Sequence, residues 1–136
     1  METQDEVGDE VRLAVPATPE FLRLARVTAS GLASRMGFTL DEVEDLRLAI
    51  DELCFVLIGN KGRAGTVDLR YAVNGDTLEV VGTGTFDDGR AAPVLASWSE
   101  QMLKALVDEY ALFEDGGHTA FRMVKRRLPP PGGDRS

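Results

Sequence analysis

The chain has one cysteine, one histidine and one tryptophan. A single thiol, Cys54, cannot close an internal disulfide, and it sits in an apolar stretch where a thiol packs as a small hydrophobe. His118 has no second histidine and no cysteine pair near it, so zinc geometry is excluded. Long hydrophobic runs are also missing. The longest, Leu53 to Ile58, falls far short of the ~20 residues that cross a bilayer. Positive charge is scarce: 15 Lys and Arg stand against 23 Asp and Glu, for a formal net charge of −8. A surface of that sign repels phosphate backbones and anionic headgroups. The one basic cluster, Lys125, Arg126 and Arg127, reads as a solvated strand edge, so neither nucleic acid nor membrane is an expected partner and a basic protein partner fits better. The opening METQDEVGDE has no apolar core and does not read as a secretory signal. With a reduced thiol, this makes the cytoplasm the expected compartment.

What is present is clear periodicity, with 43% apolar residues to build a core. Val11, Leu13 and Val15 alternate with Arg12 and Ala14 as in a half-buried strand that stops at Pro16. Thr18, Pro19 and Glu20 supply an N-cap, a proline at the first helical position and an acid near the helix dipole. The spacing then predicts a helix to Met36, with Phe21, Leu24, Ala25, Thr28, Leu32 and Met36 on its apolar face. A Thr39-x-x-Glu42 capping box opens a second helix through Val43, Leu46, Ile50, Leu53 and Leu57 to Ile58. Residues 66–73 and 77–81 alternate as paired strands around an Asn74-Gly75 turn. Residues 82–96, with Gly82, Gly84, Asp87, Asp88, Gly89 and Pro93, read as a long connection. Ser97-x-x-Glu100 is a second capping box heading a helix to Glu109. Residues 110–114 and 119–125 form a closing hairpin around Asp115-Gly116-Gly117. The implied fold class is α+β: a two-layer α/β sandwich with a mixed, mostly antiparallel sheet and three helices on one face. The expected domain is 10–127, between an acidic leader, 1–9, and a tail, 128–136, both expected to be disordered.

Two segments, LARVTASGLASRMGFTLDEVEDLRLAIDELC and the later LKALVDEYALFEDGGHTAFRMVKR, are similar to the RsbW-type anti-sigma factors, serine kinases of the histidine-kinase-like (GHKL) ATPase superfamily. The resemblance covers roughly residues 10 to 127. It implies a GHKL-type sandwich that binds an alternative sigma factor, is relieved by an anti-anti-sigma (STAS) protein which it phosphorylates on serine, and works as a homodimer. Carried over by position, the family's general base is Glu52, and its magnesium-holding asparagine is replaced by Val56. Spacing of four puts the two on one helix face, but valine has no oxygen for a magnesium shell. The adenine-binding Asp-x-Gly falls on Gly82-Thr83-Gly84, where the aspartate is missing; a shifted register would use Asp87-Asp88-Gly89. The phosphate-cradling Gly-x-Gly falls on Ser97-Trp98-Ser99, where side chains replace bare backbone. Val56 and Trp98 are expected to fill nucleotide space. The arginine by which the family's first helix contacts its partners corresponds to Arg26. The implied function is an anti-sigma factor acting by sequestration, with a vestigial Glu52, no required ATP or magnesium and no metal. The alternatives are an active ATP-dependent serine kinase, or a regulator of another signalling protein on the same scaffold.

Overall fold

A computed structural model describes residues 9–59, 61–87 and 94–129. Its elements run β1 (Asp9–Pro16), α1 (Pro19–Met36), α2 (Leu40–Ile58), β2 (Gly65–Asn74), β3 (Thr77–Phe86), α3 (Ser97–Leu106), β4 (Glu109–Asp115) and β5 (His118–Arg126). The five strands form one sheet in the order β1-β2-β3-β5-β4. Every ladder is antiparallel, which corrects the expectation of a mixed sheet: the helical pair α1–α2 returns the chain so that β1 opposes β2 instead of running beside it. One sheet face carries Leu13, Leu69, Tyr71, Val80, Phe121 and Met123, and the helices pack on it around Leu46, Ile50, Leu53, Leu57 and Leu103. The opposite face bears charged ladders such as Arg122 with Glu79 and Glu109. That polar face is what an antiparallel sheet covered on one side requires.

α2 begins as its sequence demands. The Thr39 hydroxyl accepts from the Glu42 N–H, and the Glu42 carboxylate accepts from the Thr39 N–H. α1 has its N-cap at Thr18, but the hydroxyl makes no capping bond and is buried without a partner among the described residues. Its buried stripe also differs from expectation. Leu22, Ala25, Ala29 and Ala33 face the core, whereas Phe21 and Leu24 are 42% and 45% exposed. Alanines four apart let the helix backbone approach the sheet so closely that the Tyr71 hydroxyl donates to the Ala25 carbonyl at 2.9 Å. A stripe of Phe and Leu would hold the helix further off.

β3 runs on to Phe86, five residues beyond the sequence-based boundary, because Gly82 and Gly84 pair in register with Leu69 and Val67 of β2. The tight turn before it consists of Gly75 and Asp76, since Asn74 still pairs with Thr77; Gly75 takes the positive φ of 60°. α3 is capped by the Ala96 backbone without a side-chain bond, so no Ser97–Glu100 capping box forms, and the helix ends at Leu106 rather than Glu109. It stops there because Asp108 turns the chain into β4: its N–H donates to the Val124 carbonyl and its carboxylate accepts from the Arg126 N–H. The basic cluster is solvated only in part, at the exposed Arg126. Lys125 is buried and its Nζ donates to the Leu106 carbonyl at the end of α3, while Arg126 pairs with Glu109. A lysine at a helix C-terminus satisfies an orphan carbonyl and the dipole together. Asp9 belongs to β1, and the Leu128 N–H is held by Glu42. Residues 1–8 of the expected leader, 130–136 of the expected tail, and Asp88-Gly89 lie outside the described residues.

Candidate functional site

α2 presents different residues on its two flanks. Glu52 and Val56 lie toward α3, and Asp51, Phe55 and Ile58 lie toward α1. On the first flank, Ser99 in the opening turn of α3 is 2% exposed, and its hydroxyl donates to Glu52 Oε2 at 2.5 Å. A hydroxyl bonded to an ionised carboxylate is among the shorter and stronger hydrogen bonds of proteins. The residue at the general-base position and the last residue of the phosphate-cradle position are therefore in direct contact. Ser97 is exposed, and Trp98 is 62% exposed. Val56, expected with Trp98 to fill nucleotide space, is half-buried.

Aromatic side chains pack against the two glycines expected at the adenine-binding position. Gly82 and Gly84 lie inside β3, not at a strand end. A Cβ on Gly82 would come within 2.5 Å of the Phe121 ring, and one on Gly84 would meet the Phe86 ring. The Arg63 guanidinium stacks on Phe86 at 3.9 Å from the ring centroid and donates to the Leu57 carbonyl near the end of α2. Aromatic rings thus fill the space over both glycines, so packing alone accounts for these residues. The described residues do not fit magnesium-nucleotide chemistry. Val56 offers the ion no oxygen, Gly82 offers adenine no carboxylate, and Ser99 spends its proton on Glu52. No group of three His, Cys, Asp or Glu side chains converges as a metal site among the described residues.

On the second flank, Arg26 Nη1 donates to Asp51 Oδ2 at 3.2 Å. The pair sits in an open groove of about 260 Å³ between α1 and α2, lined also by Leu22, Arg23, Cys54 and Ile58. Phe55, 49% exposed, stands at its margin. Asp51 and Phe55 were not singled out from sequence; the only hint was an aromatic on the outward side of an otherwise well-patterned helix. Burial and then the neighbouring Asp51 charge push the Cys54 thiol up to about 12. Thiolate is the reacting form, so at pH 8 native protein is expected to resist Ellman's reagent while protein unfolded in guanidinium is labelled stoichiometrically. Rapid native labelling would contradict the packed thiol.

No protein-family model matches the chain. Among curated proteins, it is 42% identical over 77 residues to the serine-protein kinase RsbW of Bacillus subtilis, covering 54% of this chain and 48% of that protein. It is 37% identical over 91 residues to RsbW of Bacillus pumilus, covering 61% and 56%. The chain thus spans about half the length of these relatives. A crystal structure of the RsbU and RsbW domains of a Mycobacterium tuberculosis protein superposes with a TM-score of 0.66 over 90% of this chain and 33% of that one, at 19% identity. That likeness is one of fold.

Proposed function

We propose, from the premise that the chain is homologous to RsbW-type anti-sigma factors and serine-protein kinases, that it is a binding regulator which sequesters an alternative sigma factor without phosphoryl transfer. The observation that carries this reading is the state of the α2 flank that faces α3. The carboxylate at the general-base position is engaged by Ser99 at 2.5 Å, and the next position on that face is Val56. A base already holding an internal proton donor, with no metal ligand beside it, has no phosphoryl acceptor to activate. Residues 10–127 form the acting unit, in the cytoplasm, as a homodimer. A STAS-type antagonist would release the sigma factor by competition for the same surface.

The partner surface is assigned to the α1–α2 groove around Arg26, whose planar fork can exchange Asp51 for a partner's carboxylates. Arg26→Ala is expected to weaken sigma binding more than tenfold and to move the melting temperature little, since an exposed ion pair contributes about 0–1 kcal/mol. Surface plasmon resonance against the sigma factor that co-purifies from native cells checks it; unchanged affinity would remove this surface from the proposal. Calorimetry with Mg-ATP tests the other half. Micromolar binding would restore the kinase reading, whereas absence of heat at millimolar nucleotide supports sequestration alone.

A further inference from the structure

α3 is a short helix with weak means of its own. It has ten residues, its N-cap Ala96 contributes no side-chain bond, and only Ser99 and Leu103 are buried. An isolated helix of this length is marginal in water, so its order comes from what it docks against. Three polar contacts tie it down among the described residues: Ser99 to Glu52 at its start, Tyr110 to the Glu100 carbonyl, and Lys125 Nζ to the Leu106 carbonyl at its end. The Tyr110 contact is long, at 3.4 Å. The first turn therefore depends on Ser99 and Glu52. An anionic group beside the opening turn of a helix also compensates its positive dipole end.

We propose that Ser99 and Glu52 form an interhelix clasp: the Glu52 carboxylate acts as a built-in anion at the start of α3, holding the helix on α2 in the absence of any ligand. Ser99 and Glu52 are positioning residues in this scheme. The clasp gives Glu52 a role beside Val56, where it has no metal to assist. The proposal concerns this chain's own helices and does not depend on which partner binds.

Hydrogen exchange read by mass spectrometry on the full chain tests it. In Ser99→Ala and in Glu52→Ala, amides of 97–103 are expected to exchange about tenfold faster, as loss of one charge-assisted hydrogen bond allows. Amides of β2, β3 and β5 should keep their wild-type protection. Glu52→Gln, which keeps an acceptor oxygen but loses the charge, should fall between. Wild-type protection of α3 should not change with millimolar Mg-ATP. Unchanged α3 exchange in both alanine variants would overturn the clasp. So would an equal acceleration throughout the sheet, which would make Ser99 and Glu52 general packing residues. Protection of α3 by Mg-ATP would overturn it too, because the carboxylate's environment would then be a ligand site. Unchanged sigma affinity in Arg26→Ala would remove the partner surface and leave the exchange of the Ser99 and Glu52 variants untouched, so the partner surface and the clasp fail separately.

Discussion

Gly82→Ala is expected to cost about 2–3 kcal/mol of stability, the upper part of the range for forcing an extra methyl into a packed interior. The added Cβ would sit 2.5 Å from Cε2 and 2.7 Å from Cζ of Phe121. Phe121 is fully buried, and Gly82 is its partner across the β3–β5 ladder. Neither group has a simple way to yield: the ring is rigid and enclosed, and Gly82 is fixed in register on both sides by β2 and β5. At ~4 °C per kcal/mol for a chain of this size, the melting temperature should fall by about 10 °C. Phe121→Leu alone leaves a partial cavity and is itself destabilising. Combined with Gly82→Ala, it should recover at least half of the glycine variant's loss, giving a favourable coupling of about 1 kcal/mol or more in a double-mutant cycle. If Gly82 is a glycine because a ligand must approach the backbone, the single variant would melt like wild type and the cycle would show no coupling.

That glycine marks where sequence reasoning stopped short. Capping at Thr39 and Glu42, period-two strands and glycine turns place all eight elements in their right order. The hydrophobic pattern speaks for a strand only while side chains alternate visibly, and Gly82-Thr83-Gly84 has nothing apolar to show. The ladder continues because the missing side chains are supplied from Phe121 and Phe86. Likewise, Ser97-x-x-Glu100 satisfies a capping-box pattern, but the backbone enters α3 one residue earlier, at Ala96, and Ser99 turns its hydroxyl to α2. On α1, Phe21 and Leu24 were expected on the core face, while the fold turns them outward and buries Leu22, Ala25, Ala29 and Ala33. The candidate site was readable as a set of positions and not as contacts. Glu52 and Ser99 are 47 residues apart, and Arg26 and Asp51 are 25 apart; no local period connects them. Only docking of α1 and α3 on opposite flanks of α2 brings either pair together.

Glu42 carries the second large effect, and its sign with pH can be worked out. The side chain is only 5% exposed, yet its two oxygens accept from the Thr39 and Leu128 backbone N–H groups, each at 2.7 Å. Burial pushes its pKa up, but the Thr39 and Leu128 hydrogen bonds, with the Lys125 charge, outweigh burial and leave it below the ordinary value of 4.5. A carboxylate whose folded pKa is depressed contributes stability above the unfolded value and loses it as pH falls through the folded one. Glu42→Ala should therefore cost about 2–4 kcal/mol at pH 7, since it removes two charge-assisted bonds and leaves buried donors unpaired. The difference from wild type should stay constant down to about pH 4.5 and then shrink as the wild-type carboxylate takes up its proton. Glu42→Gln keeps one acceptor oxygen and should lose less at neutral pH, with a similar convergence in acid. Urea titrations at pH 7, 5 and 3.5 on the three proteins measure this directly. A gap that persists unchanged at pH 3.5 would mean that Glu42 acts through packing and not through its charge. Because the carboxylate joins the start of α2 to the segment after β5, its loss should also free the Leu128 amide to exchange at neutral pH, as protonation of wild-type Glu42 should in acid.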